Sequence, residues 1–297
     1  MNLRDLQYLV AVAEHRHFGR AAEACFVSQP SLSAQIAQME AVLGVKLFER
    51  DPRGVRLTRA GEALVPEARA TLAACDQLCQ LARSSGAPLT GPLRLGVIPT
   101  VGPYLLPRVL PAVHEAYPEL QLFLREDRTA QLVEQLQAGK LDLLMLAVDI
   151  DLGGLATLPL FSDPFLVAVS EQDDLARLDE VRLSDLDGRD MLLLEEGHCL
   201  REETLPLCEA AGGGDLSGFR ASSLGTITQM VARGLGITLL PELAIEREAA
   251  AVRGLRTIPF GADGPSRSVG LAWRANSPRV EEYRMLGATL SAAYARS

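Results

Sequence analysis

The hydrophobic period of the chain changes across residues 84–92, SSGAPLTGP, and the change limits what can fold on either side. Before it, apolar residues recur at intervals of three and four, the spacing of helices that bury one face. After it, short apolar runs alternate with helical patterns: LRLGVIP then PYLLPRVLPAVHEAYP, LQLFLRED then TAQLVEQLQAGK, then LDLLMLAV. Strands alternating with helices predict an α/β domain on a parallel sheet. The pattern recurs in PFLVAVS, DMLLLEE, SLGTITQMVARGLG, ITLLP and SVGLAWR, and a final helix is expected over PRVEEYRMLGATLSAAYA. Two α/β lobes with strands crossing between them put a ligand cleft at their junction. A length of 297 residues suits about two domains.

The head reads as short helices. NLRDLQYLVAVAEH sets Leu3, Leu6, Leu9, Val10 and Ala13 on one face, and FGRAAEACF is a second, Ala-rich helix with Cys25 on its apolar side. VSQPSLSAQIAQMEAVLG offers Ser28 as N-cap, Pro30 in the first turn and Gly44 as the stop. Leu32, Ile36, Met39 and Leu43 form its apolar set. The opposite face carries Ser31, Ser33, Gln35 and Gln38, where a solvated helix normally carries Glu and Lys. Small hydroxyl and amide side chains suit a helix laid in a DNA major groove, reaching base edges and phosphates. Two short strands around the turn 51–54 follow, with Arg50, Arg53, Arg56 and Arg59 at every third position, a wing suited to the phosphate backbone. The net charge of −9 argues against nucleic acid only on average. Residues 1–60 hold eight Lys and Arg against six acids, a net of +2, which leaves −11 on the rest. Residues 58–84 predict a long helix capped by Thr58. Leu64, Ala68, Leu72, Cys75, Leu78, Cys79 and Ala82 give a seam near a 3.5 repeat, as in a dimerising coiled coil, with Pro66 marking a kink or a second start.

No apolar run is long enough to span a bilayer, and the charged N-terminus is not a signal peptide, so the expected location is the cytoplasm. Thiols there stay reduced by default. Cys199 and Cys208, in EEGHCLREETLPLC, therefore read as catalytic, metal-binding or redox-sensing sooner than structural. GLG at 234–236 lacks the third glycine of a dinucleotide fingerprint. No Walker A lysine, G-x-S-x-G or zinc spacing is present, so neither cofactor nor metal is expected.

FGRAAEACFVSQPSLSAQIAQMEAVLGVKLFER followed by LTRAG resembles the winged helix-turn-helix of LysR-type transcriptional regulators, and the body resembles their effector domain. GVIPTVGPYLLP, GHCLR with a second cysteine nine residues on, and GITLLP narrow the resemblance to the peroxide-sensing members of that family. The implied fold is α/β: a winged helix-turn-helix at 1–58, a linker and dimerisation helix with hinge at 59–91, and a two-lobed periplasmic-binding-protein-like effector domain at 92–297. The implied function is a DNA-binding regulator, not an enzyme, of oxidative-stress genes. Cys199 would be the peroxidatic thiol and Cys208 the resolving one. Thr100, Thr129, His198 and Arg267 would line the peroxide site. Ser28, Gln29, Pro30, Ser31, Ser33 and Gln35 would read DNA, with Arg50 and Arg53 on the wing. Implied partners are a dyad operator in double-stranded DNA, further copies of the chain as homodimer or homotetramer, hydrogen peroxide as signal, RNA polymerase and a disulfide reductant, with no membrane. The chain departs from the family at Gly218, where a histidine is frequent, at Gly225, in place of an acid, and at Pro206 between the cysteines.

The chemistry sets its own demands. A thiolate is the nucleophile, so the Cys199 pKa is expected below the free value, helped by His198, Arg201 and Arg267. Hydroxyls such as those of Thr100 and Thr129 would orient the peroxide and stabilise the leaving oxygen. If residues 199–208 form one helix, nine steps separate the cysteine Cα atoms by roughly 13 Å, whereas a disulfide needs about 7 Å or less. Oxidation would then require local refolding, and Pro206 is expected to favour a break just before Cys208. Two other functions fit the same residues: a LysR-type regulator of a small effector bound between the lobes, with incidental cysteines, and a thiol-peroxidase-like activity.

Overall fold

The computed structural model describes residues 1–51, 54–83, 87–210, 214–215, 221–250, 252–261 and 264–296. They form two compact units, Met1–Gly86 with Gln137–Lys140, and Ala87–Leu136 with Leu141–Ser297.

In the first unit, α1 (Leu3–His15), α2 (Phe18–Ala24) and α3 (Gln29–Leu43) precede the antiparallel hairpin β1 (Phe48–Asp51) and β2 (Gly54–Leu57), and α4 (Arg59–Arg83) follows. Each helix start has a local cause. Asn2 and Asp5 form a capping box on α1, and His17 Nδ1 accepts from the amides of Gly19 and Arg20 on α2. Ser28 accepts from Ser31 N–H on α3, and Gly44 closes that helix at φ 71°. Thr58 accepts from Gly61 N–H and donates to Lys46 C=O. Gly61 is needed here, because a Cβ would collide with the Leu47 carbonyl oxygen. The core joins Leu6, Leu9, Val12, Leu32, Ile36 and Met39. Tyr8 and Val12 are buried, whereas Leu3, expected on the apolar face, is exposed. Pro66 does not mark a second start: α4 runs unbroken through it. Leu78 on that helix is exposed.

The second unit is built on a mixed sheet, not the parallel one expected. β3 (Gly91–Val97), β4 (Leu120–Glu126) and β5 (Leu143–Ala147) are parallel, and α5 (Gly102–Ala116) and α6 (Thr129–Gln137) are the crossover helices that connect them. β11 (Ser266–Trp273) lies between β5 and β6 (Ala156–Ser170) and runs antiparallel to both. β6 is the shared spine. Its first half, through Pro164, pairs with β11. Its second half pairs with β9 (Thr238–Pro241) and β10 (Leu255–Pro259). One strand thereby belongs to both lobes. The second lobe adds β7 (Asp190–Met191), α7 (Cys199–Ala210), β8 (Gly214–Asp215), α8 (Leu224–Val231) and α9 (Glu242–Glu248), and α10 (Val280–Tyr294) packs on the first. DMLLLEE is a strand for only two residues. It continues through single bridges of Met191 to Ile237 and of Leu194 to Ala221. The strands β5 and β9 are buried along their whole length, which explains their unbroken apolar sequences. No helix among the described residues is long and apolar enough to cross a membrane.

Candidate functional site

Cys199 is the first residue of α7, and the turn before it is set by Gly197 at φ 87°, a conformation that L side chains avoid. His198 C=O accepts from the amides of Arg201 and Glu202, which begins the helix. The loop ahead of it is clamped from the other lobe. Arg128, just before α6, donates to Glu196 C=O at 3.0 Å and pairs with Glu195 at 2.9 Å. The thiol is 3% exposed. It stands at the N-terminus of a helix, a setting that favours negative charge as it develops.

Three segments distant in sequence converge on this thiol. Thr100 comes from the turn between β3 and α5, Thr129 opens α6, and Arg267 lies on β11. The hydroxyls of Thr129 and Thr100 reach the sulfur and favour its ionised form. Thr129 Oγ1 is buried with no oxygen or nitrogen partner. Thr100 Oγ1 accepts from Arg267 Nη1 at 3.0 Å, and Thr100 C=O accepts from Arg267 Nη2 at 2.9 Å. The hydroxyl proton of Thr100 is therefore free to turn towards the sulfur. Arg267 is fully buried and donates through Nε and Nη2 to Asp163 Oδ2. Asp163 spends its other oxygen on the Leu243 amide. Glu203, one turn after Cys199 on α7, stands 3.9 Å from Arg267 Nη1.

The electrostatics overturn one expectation. Burial pushes the Cys199 thiol up to about 11, Glu203 pushes the same way, and Arg267, Thr129 and Thr100 only partly oppose them. In the resting pocket the thiol keeps its proton. His198 does not supply positive charge either. Burial and the neighbouring Arg128 lower its pKa against the pull of Glu195, so the imidazole is neutral near pH 7, with Nε2 buried and unpartnered. Arg201 donates to Leu194 C=O. The cation that acts on the thiol is Arg267.

α7 continues through Pro206 to Ala210, so the helix break expected before Cys208 is absent. Pro206 is exposed on that helix, and its ring occupies the outer side, where only the backbone bond to Glu202 C=O is lost. Cys199 and Cys208 thus share one helix. Nine residues at a rise of about 1.5 Å set their Cα atoms roughly 13 Å apart along the axis.

On the first unit, Ser28, Gln29, Pro30, Ser31, Gln35 and Gln38 are exposed along α3, and Ser33 is half-buried. Arg50 lies on β1; Arg53 lies outside the described residues.

A model described as the bacterial regulatory helix-turn-helix protein, lysR family, matches residues 3–62, and the LysR substrate binding domain matches residues 86–294. The chain belongs to the LysR family of transcriptional regulators. It is 45% identical, over 98% of its length and 95% of the relative's, to the DNA-binding transcriptional dual regulator OxyR of Escherichia coli K12. Among solved structures, a cysteine-to-aspartate variant of full-length OxyR from Pseudomonas aeruginosa matches with a TM-score of 0.76 at 36% identity, covering 98% of this chain and 94% of that one. A peroxide-bound cysteine-to-serine mutant of OxyR from Corynebacterium glutamicum matches with a TM-score of 0.67 at 38% identity, covering 99% and 94%. As a LysR regulator, the chain binds DNA through its helix-turn-helix.

Three further residues complete the regulator's pocket beyond those the motifs indicate. Asp163 holds Arg267, Arg128 holds the loop before Cys199, and Glu203 shares the helix face of the thiol. Only Glu203 had a readable cue, its spacing of four from Cys199 on a predicted helix. Of the family departures, Gly218 lies outside the described residues. Gly225 lies under Glu248, whose Oε2 would stand 2.9 Å from an added Cβ and whose Oε1 accepts from Tyr104 OH. An acidic side chain at 225 would meet that carboxylate directly.

Proposed function

We propose that this regulator senses hydrogen peroxide through Cys199, closes a reversible disulfide to Cys208, and so controls transcription of oxidative-stress genes. One observation carries the reading: a buried thiol beside two hydroxyls and a buried guanidinium, on the same helix as a second cysteine. The names of relatives, which include hydrogen peroxide-inducible genes activator, support it.

Thr100 and Thr129 orient the peroxide, and Arg267 stabilises the charge that develops as its O–O bond breaks. Sulfur takes one peroxide oxygen to give the sulfenic acid, and the other oxygen leaves as water. The Cys208 thiol then attacks that sulfur, a disulfide forms and a second water leaves. Two cysteines roughly 13 Å apart on one helix cannot bond without unwinding it. Oxidation is thereby coupled to a change of shape. A dithiol reductant reverses it by exchange, itself becoming a disulfide. The head, 1–58, reads a dyad operator with Ser28, Gln29, Pro30, Ser31, Ser33 and Gln35 on the recognition helix and Arg50 and Arg53 on the wing. The linker, 59–91, pairs subunits into dimers and tetramers. The effector domain, 92–297, passes its change of shape to RNA polymerase through the DNA-bound assembly in the cytoplasm.

The test is peroxide titration of the full chain on promoter DNA, with transcription and Cys199–Cys208 linkage followed together. Wild type gains the disulfide as its transcript level changes, and Cys199→Ser responds to neither. A serine variant that still drives the response to peroxide would exclude Cys199 as the sensor.

A further inference from the structure

The reaction assigned to Cys199 leaves a proton unaccounted for. The thiol rests protonated, and attack on peroxide must release that proton. A base is needed inside a pocket closed to bulk water.

The groups near the sulfur leave few candidates. Thr100 and Thr129 are neutral hydroxyls. Arg267 is a permanent cation, and His198, whose basicity burial and Arg128 lower, is not among the groups that bear on the thiol. Asp163 is committed on both oxygens, to Arg267 and to the Leu243 amide. Glu203 differs from all of these. It lies at i+4 from Cys199, so the two side chains share one face of α7, with Cβ atoms about 5–6 Å apart. Its side chain is 9% exposed, and both carboxyl oxygens are buried without a hydrogen-bond donor. A buried carboxylate normally collects several donors. Among the described residues, the cation that faces it, Arg267 at 3.9 Å, is the one that bonds Thr100 beside the thiol.

We infer that Glu203 is the proton acceptor for the Cys199 thiol during its oxidation. This rests on the peroxide-sensing reading above. As Sγ attacks the near oxygen of hydrogen peroxide, the S–O bond forms and the O–O bond breaks. The thiol proton passes to the Glu203 carboxylate and returns to the departing oxygen, which leaves as water. Sulfur loses two electrons, peroxide gains them, and Glu203 ends as it began. The net change is thiol plus hydrogen peroxide to sulfenic acid plus water.

The setting suits the task. Burial raises the Glu203 pKa, Arg267 opposes it, and Asp149, Asp163 and Glu202 add to the rise, which brings it to about 7. A base poised near the working pH divides its time between accepting and returning a proton. These four groups, with Cys199, are the charged and titratable neighbours that bear on Glu203, from α7, β6, β11 and the segment after β5.

The experiment is stopped-flow oxidation of the full chain by hydrogen peroxide between pH 5.5 and 8.5, with sulfenic acid trapped at Cys199. The wild-type rate is expected to rise through pH 7 and level off. Glu203→Gln should be about a hundredfold slower at pH 8, and its rate should climb tenfold per pH unit without a plateau, as free thiolate alone would. Glu203→Asp should restore the plateau at a shifted midpoint, which a merely structural role would not do. Circular dichroism checks that each variant folds, and if the Gln variant does not, the wild-type and Asp profiles still decide. A wild-type rate that climbs without levelling, or a Gln variant as fast at pH 8, overturns the proposal. Wild type that leaves Cys199 unoxidised sinks the peroxide reading itself; oxidation with a rate indifferent to Glu203 sinks only the proton acceptor.

Discussion

Arg267 and Asp163 are directly opposed across the antiparallel pair β11 and β6, and two guanidinium nitrogens meet one carboxylate oxygen at 2.9 and 3.0 Å. The ladder register makes this contact, and it fixes the cation that holds Thr100 beside the thiol. It also sits where β6 changes partners from one lobe to the other. A charge buried this deeply persists only because it is paired.

Asp163→Asn should therefore act twice. It leaves Arg267 uncompensated and is expected to cost about 3–5 kcal/mol of unfolding free energy. It also frees the guanidinium to shift away from Thr100, so oxidation of Cys199 slows in the fraction that remains folded. Urea unfolding and peroxide kinetics on the same preparation measure both. Unchanged stability would show that the pair does not anchor the pocket.

Glu40 plays the comparable part in the head. Its Oε1 accepts from Leu47 and Phe48 amides, and its Oε2 from Lys46, so α3 is tied to β1. Burial favours the neutral acid, but the bonds from Lys46, Leu47 and Phe48 outweigh it and lower the pKa. A lowered carboxyl pKa means stability that is present above the unfolded value near 4.5 and lost as pH falls through the folded one. Glu40→Gln should reduce protection of the α3 and β1 amides in hydrogen exchange at pH 7, by about 1–2 kcal/mol. The gap between variant and wild type should shrink below pH 4.5. Equal protection at pH 7 contradicts this account.

Much of the head was legible because its signals are local. Ser28 and Gly44 immediately flank the helix they bound and Pro30 lies in its first turn, and a cap acts on its own helix. GHCLR was legible as a motif, and Gly197 explains its glycine. What escaped depends on distant register. The pairing of Asp163 with Arg267 spans 104 residues. β6 was expected only over PFLVAVS, residues 164–170, whereas the strand starts at Ala156 and passes through two prolines. Pro159 lies at the register shift between Val269 and Gly270, and Pro164 faces the end of β11, where a missing N–H is tolerated. The thiol's resting state escaped for another reason. Its sign is a balance of burial and Glu203 against Arg267, Thr129 and Thr100, and no motif displays that balance.

Pro206 offers a kinetic test of the helix between the cysteines. It sits inside α7, where proline disfavours the helix by about 3 kcal/mol relative to alanine. Pro206→Ala should stabilise the reduced helix and slow disulfide closure while leaving the sulfenic step unchanged. Dimedone trapping separates the two steps, and the variant should accumulate more trapped Cys199. If closure runs at the wild-type rate, unwinding around Pro206 does not limit the switch.

Glu203 also has a stability signature separate from its role in the reaction. Its pKa is raised from 4.5 to about 7, because burial, with Asp149, Asp163 and Glu202, outweighs the attraction of Arg267. The folded state therefore holds a proton that the unfolded chain has released between those values. The associated stability is fully present below pH 4.5 and is lost as pH rises through about 7. A shift of this size corresponds to roughly 3 kcal/mol at most. Glu203→Gln, neutral at every pH, should escape that loss. Its advantage in urea unfolding should be largest at pH 8 and vanish near pH 4.5. A variant less stable than wild type at pH 8 would mean that Arg267 holds the carboxylate more firmly than burial opposes it, and the proton that Glu203 is proposed to accept would have no place to rest.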